Sequence, residues 1–276
     1  MITHKTKALS RFIGPALLLA GSLAIATPGT AQQTAWVDLD FSQVRLVSAT
    51  VAVGDSRTVR LGLQIKMKPG FKTYWRSPGD AGIPPRFDWT GSHNFTRANI
   101  EWPAPERFVL GGFNTFGYTD EIVLPIEVEL ANPGQPFEAH LQVVYGVCRD
   151  ICVLGDAELV LAVPAGNAQQ TRHHDVIEWF GRQVPGTQAS DVDISSARII
   201  SGDEGLVIEI KAQVGDGSDF DQPDILVEGL EEVALPAPTI VVDAGRRNTT
   251  VSLSAGKRSA ATETRRATGY PDAVGW

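Results

Sequence analysis

Cysteine and methionine are scarce, with two of each in 276 residues. That count excludes a disulfide framework, so any core must come from apolar packing. After the first thirty residues no apolar run is long enough to span a bilayer as a helix. Positive charge is also thin: Gln32 to Asp243 holds 15 Lys+Arg against 30 Asp+Glu. Such an acidic body argues against nucleic acid or an anionic membrane surface as partner. From Ala244 onward the balance reverses, with 6 basic and 2 acidic residues. Nucleotide-binding glycine fingerprints and the nucleophile-elbow motif are missing, and nothing points to a hydrolase. The adjacent histidines His173-His174 would diverge by about 100° on a helix, a poor metal clamp. The acidic stretch Asp216–Asp224 lacks calcium-loop spacing and reads as a polar loop.

The N-terminus reads as an export signal. Lys5, Lys7 and Arg11 precede the uncharged run Phe12 to Ile25, and Gly29-Thr30-Ala31 offers a small-residue cleavage site. Residues 1–31 are therefore expected to be removed, which places the cysteines in a disulfide-permissive compartment.

The mature chain is dominated by β patterning. Val59, Leu61, Leu63, Ile65 and Met67 alternate along one face before the stop at Pro69-Gly70. Further strands are expected at Val44–Val53, Ala98–Trp102, Ile122–Leu130, Ala139–Val147 and Glu158–Val163. Short alternating segments between Gly, Pro and Asp turns predict an all-β, immunoglobulin-like antiparallel sandwich over residues 36–164. Val176, Ile177, Trp179 and Phe180 lie at helical spacing before Pro185-Gly186, predicting a linking helix within 167–184. A second, smaller β module is expected over 191–243, with strands at Ala197–Ile200, Leu206–Ala212, Ile225–Val227 and Thr239–Val242. The Ser/Thr/Ala/Arg-rich stretch 244–276 reads as a polar, basic, disordered tail.

Both cysteines sit in Cys148-Arg149-Asp150-Ile151-Cys152, directly after the alternating run ending at Tyr145. A pair at a strand end or hairpin tip can close a small ring. Such a ring constrains little of the unfolded chain, which favours reactivity over stapling. By spacing alone, redox function, a structural bridge and a two-ligand metal contact all remain open, the last being weakest. Arg149 favours a thiolate and Asp150 opposes one.

Upstream lie PGFKTYWRSPGDAG (Pro69–Gly82), PPRFDW (Pro84–Trp89), WPAPERF (Trp102–Phe108) and YTDEIVLP (Tyr118–Pro125), with Gly111–Tyr118 between the last two. With the cysteine segment, this ordered set resembles the periplasmic N-terminal domain of the DsbD/ScsB thiol–disulfide interchange proteins. The likeness is strongest to the ScsB branch, linked to copper tolerance, and covers about Val44 to Val163. The resemblance implies an immunoglobulin-like redox domain that carries electrons on Cys148 and Cys152. It implies a membrane-embedded redox domain or subunit as electron donor, and periplasmic thioredoxin-fold proteins as partners. It implies an aromatic cap from Gly111–Tyr118, with Phe113 or Phe116 as lid, and Tyr74 beside the cysteines. No cofactor and no metal are expected. Two departures stand out. The DsbD branch spaces its cysteines more widely, and Leu154 replaces a proline common two residues after the second cysteine. The competing expectation is a non-catalytic immunoglobulin-like binding module with a structural disulfide. For Trp75, Trp89 and Trp102, core packing is the expected role.

Overall fold

The computed structural model describes residues 32–110, 113–186, 192–202, 205–215, 218–221, 223–228, 233–234 and 238–257. The expected signal segment 1–31 and the chain beyond 257 lie outside the described residues. Along the chain run β1 (Val37–Asp38), β2 (Ser42–Ser48), β3 (Thr58–Met67), β4 (Lys72–Gly79), β5 (Arg86–Asp88) and β6 (Phe95–Ile100). Then come β7 (Glu106–Leu110), β8 (Phe113–Thr119), β9 (Glu121–Leu130), β10 (Phe137–Cys148), β11 (Cys152–Val163) and the helix α1 (His174–Gly181). A third group follows: β12 (Val192–Gly202), β13 (Gly205–Val214), β14 (Val233–Ala234), β15 (Thr239–Val242) and β16 (Asn248–Lys257).

The first two groups make an immunoglobulin-like antiparallel sandwich. One sheet has the order β1-β2-β3-β9-β6, and the other β11-β10-β4-β8-β7, with β5 alongside β10. The core between them contains Leu46, Leu63, Leu124 and Ile126 together with Phe137, Leu141, Tyr145, Leu159 and Leu161. β11 follows the period-2 rule closely, with Ala157, Leu159, Leu161 and Val163 buried and their neighbours exposed. Across the sandwich, Tyr145 Oη on β10 meets Ser42 Oγ on β2 at 2.9 Å, and both residues are buried. Burial pushes the Tyr145 phenol up to about 12, so it stays a neutral hydrogen-bonding group.

β3 is buried on both faces, which alternation alone does not anticipate. α1 covers its outer side. Gly62 permits the approach: a Cβ there would lie 2.9 Å from Ile177 Cγ1 and 2.8 Å from Val123 Cγ1. Ile177 and Phe180 are the buried residues of α1, each contributing on the order of 2 kcal/mol of apolar burial. Arg60 on β3 ties the helix down, with Nε 2.7 Å from Glu178 and a two-pronged contact to Glu101 at 2.7 and 2.9 Å. His173, just before α1, is buried against Arg172 and Arg45, and desolvation holds its imidazole down at about 4.

The third sheet has the order β12-β13-β16-β14, with β15 also paired to β16. Two expectations are corrected here. Asn248–Lys257, expected inside a disordered tail, is β16, paired with β13 from Asn248 to Ala255 and with β14 at Gly256 and Lys257. Thr249, Val251 and Leu253 are buried while the residues between them are partly exposed, so only half of a β-rich segment needed to be apolar. Ile225–Val227, expected as a strand, belongs to no sheet. It is an extended strap whose side chains divide between two cores. Ile225 and Val227 pack with Ile208, Ile210, Val251 and Leu253 of the third sheet, whereas Leu226 packs on the sandwich core.

Candidate functional site

β10 and β11 form one long hairpin whose register ends at Cys148↔Cys152. The connection is Arg149-Asp150-Ile151, closed by Arg149 N–H donating to Ile151 O at 3.2 Å. The two sulfurs are joined in a disulfide, with Cα atoms 4.1 Å apart. The pair is asymmetric. Cys148 is 0% exposed, while Cys152 is solvent-facing beside Ile151 at 66% and Leu154 at 49% exposure. An approaching thiolate therefore finds one sulfur and not the other.

Tyr74 of β4 reaches this site from beneath, its Oη 3.4 Å from Cys152 Sγ. The ring occupies a slot that two glycines keep open. A Cβ on Gly82 would lie 2.7 Å from Tyr74 Cδ1, and one on Gly146 would lie 3.1 Å from Cδ2. Gly146 sits two residues before Cys148 on β10, and its N–H donates to Ile83 O at 3.2 Å, closing the slot. Burial raises the Tyr74 phenol, keeping it protonated, so its hydroxyl is the donor toward the Cys152 sulfur. On the other side, the Arg149 guanidinium lies over the Phe71 ring at 4.8 Å and pairs with Asp150 at 2.9 Å. Lys72 is the cross-strand partner of Cys148, but its ammonium lies over the Phe108 ring at 4.5 Å. Burial lowers the Lys72 ammonium.

The expected cap residues lie on β8, which pairs with β4 so that Gly117 faces Tyr74. Gly117 allows the strands to meet there, since a Cβ would fall 1.9 Å from Thr73 O. Phe116 packs against the sandwich core, with the Arg107 guanidinium 4.8 Å over its ring. Phe113 opens β8 opposite Leu110 and is 48% exposed. Gly111 and Gly112, the tip of the expected cap, lie outside the described residues. Trp75 and Trp102 are core residues, and Trp89 is partly buried and stacked on Phe95.

Sequence reasoning missed two features. One is the glycine slot for Tyr74, assembled from segments far apart in the chain. The other is the strap, which lies across β4 and β7. Asp224 takes both prongs of Arg107 at 2.9 Å, and Glu228 takes both prongs of Arg76 at 2.8 Å. Alternate strap residues 224, 226 and 228 thus face the sandwich.

Comparison with known proteins agrees with this geometry. The family model of the N-terminal part of the thiol:disulfide interchange protein DsbD matches residues 42–164. A domain of unknown function (DUF8393) matches residues 183–266, a span that includes all five strands of the third sheet. No curated protein matches the chain. Among solved structures, the N-terminal periplasmic domain of ScsB from Proteus mirabilis is similar in fold. It has a TM-score of 0.66 at 24% identity, covering 82% of this chain and 85% of that one. No helix among the described residues is long and apolar enough to cross a membrane. The cysteine hairpin and Tyr74 both lie within residues 42–164, the span that matches the N-terminal family model of the thiol:disulfide interchange protein DsbD.

Proposed function

We propose that this chain is a periplasmic electron relay in which Cys148 and Cys152 alternate between disulfide and dithiol. The observation that carries the reading is the asymmetry of the pair, one sulfur sealed and one presented, on a domain of this family. In the loading step, a donor thiolate attacks Cys152 Sγ and the Cys148–Cys152 bond breaks. Cys148 leaves as a thiolate and takes a proton, and the donor's second thiol then releases Cys152. Two electrons and two protons have entered the hairpin. In the delivery step, the Cys152 thiolate attacks a partner disulfide. Cys148, four positions away on the same turn, resolves the mixed disulfide at high effective concentration. The Tyr74 hydroxyl stabilises the Cys152 thiolate in both steps. Ile151 and Leu154 give the docking partner an apolar rim beside the reactive sulfur. The family context supports thioredoxin-fold proteins as acceptors and a membrane-embedded redox subunit as donor. Of the two expected lid residues, half-exposed Phe113 is the one a docking partner displaces, since Phe116 is packed against the core.

The test is trapping. A Cys148→Ala variant keeps the exposed sulfur and should accumulate mixed disulfides with exported proteins, whereas Cys152→Ala should trap few. If neither variant traps a partner, the relay reading fails. A reduction potential below about −300 mV with no exchange against glutathione would instead identify a structural disulfide.

A further inference from the structure

The end of the β10–β11 hairpin remote from the disulfide carries a second constellation. His93, in the turn between β5 and β6, forms an isolated antiparallel bridge with Glu138 at the start of β10. Both backbone hydrogen bonds of that bridge are made, at 2.9 and 3.2 Å. Glu138 and His140 are two apart on one strand, so their side chains project from the same face. His140 Nε2 lies 2.7 Å from Glu138 Oε1, and the His93 ring stands edge-on to His140 with centroids 6.1 Å apart. One ligand atom from each of the three residues lies within 4.8 Å of the other two.

The turn is anchored on both sides. Ser92 Oγ accepts the His140 N–H at 2.9 Å, and Trp89 stacks on Phe95 across the base of the turn. Gly91, at φ +91°, lies beneath His140, where a Cβ would be 3.8 Å from the His140 Cβ. His93 is exposed and the other two are half-buried, so an ion from solvent can enter and water can complete its shell.

We propose that His93, Glu138 and His140 bind a divalent transition-metal ion of the zinc class. Two imidazoles and one carboxylate form a borderline donor set suited to zinc, copper or nickel rather than to calcium or magnesium. Tetrahedral zinc places ligand atoms roughly 3.3 Å apart, given bonds of about 2.0–2.1 Å. Small side-chain rotations from the present spread reach that geometry. One position stays open to solvent. The ion ties the turn to β10 and stabilises the fold by binding it in preference to the unfolded chain. It is distinct from the redox site. His140 and Cys148 are separated by eight residues of one strand, roughly 26 Å. That distance exceeds the range of screened charge interactions, about 10 Å.

The experiment uses the full chain, free of any affinity tag and fully oxidised, so that thiols cannot contribute. Zinc is titrated in competition with a chromophoric chelator, and thermal unfolding is followed with and without the ion. One equivalent should bind, and the unfolding temperature should rise with zinc and return with EDTA. His93→Ala and His140→Ala should each weaken binding by more than roughly tenfold, and Glu138→Gln should weaken it too. His174→Ala should leave binding unchanged. Thermal unfolding of each variant without zinc verifies that it is folded. His93→Ala is the decisive variant, because it leaves the His140–Glu138 hydrogen bond in place. The proposal is overturned if zinc does not bind, if binding survives in the His93→Ala/His140→Ala double variant, or if His174→Ala abolishes it.

Discussion

Replacing Asp224 by Asn and Glu228 by Gln together should release the strap from the sandwich without disturbing either core. The two contacts are unequal. The Arg107 side chain is 15% exposed and also donates to the carbonyl of Ile225 at 2.8 Å, while the Arg76 side chain is 48% exposed. A two-pronged charged contact to a largely buried guanidinium stabilises by about 2 kcal/mol, and a half-exposed one by about 0.5 kcal/mol. Losing about 2.5 kcal/mol raises the population of the undocked strap roughly 50- to 100-fold, at about 1.4 kcal/mol per factor of ten. Native-state hydrogen exchange on peptides covering 218–228 reads that change directly. Exchange there should accelerate by the same factor while amides of β10 and β11 keep their protection. Arg97→Ala, which removes an exposed pair with Glu129, serves as a control and should change nothing. Unchanged exchange at 218–228 in the double variant would show that Leu226 alone holds the strap, and the electrostatic reasoning would be refuted.

Tyr74→Phe keeps the ring in its glycine slot and deletes the hydroxyl 3.4 Å from Cys152 Sγ. In the reduced protein, alkylation of Cys152 should then require a pH about one unit higher, which a pH series with iodoacetamide measures. Gly117→Ala forces a Cβ onto the Thr73 carbonyl and should destabilise by roughly 3 kcal/mol or more, seen as a lower urea midpoint. His173 is neutral in the fold down to about pH 4, whereas in the unfolded chain it protonates near its ordinary value of 6.5. The unfolded state therefore binds the extra proton, so stability is full above pH 6.5 and falls as pH drops towards 4, by at most about 3 kcal/mol. Urea midpoints measured across that window should fall less steeply in His173→Asn than in the parent, and parallel curves would contradict the assignment.

The sandwich was largely readable from alternation, because β3, β9, β10 and β11 each bury at least one continuous face. β4, β5, β7 and β8 were harder to see. Their Pro- and Gly-rich segments look like loops, and the glycines are there for close approach between strands, as at Gly117. The strand expected at Ala98–Trp102 is β6, which ends at Ile100, ahead of the Trp102-Pro103 step. The helix was legible from spacing, but the ion pairs of Arg60 with Glu101 and Glu178 join three distant segments. β16 was hidden by composition, since serines and threonines fill its open face. The strap misled the pattern in an instructive way. Ile225, Leu226 and Val227 are all apolar because the two faces of the extended strap belong to two different cores rather than to core and solvent. Within the site, the cysteine pair announced itself, whereas the exposure difference between its sulfurs depends on the hairpin register. The convergence of His93 on His140 depends on one β-bridge, and no local motif signals it.

The hairpin's ladder runs unbroken from Phe137↔Val163 to Cys148↔Cys152, and the disulfide is only its last rung. Under the relay proposed above, the redox state of the domain is recorded at that last rung. On the same proposal, a protein that must tell the loaded form from the spent form reads it at the tip, through Cys152, Tyr74 and the three-residue turn. Under that proposal, selectivity for redox state and selectivity for partner are exercised on one patch at the hairpin tip.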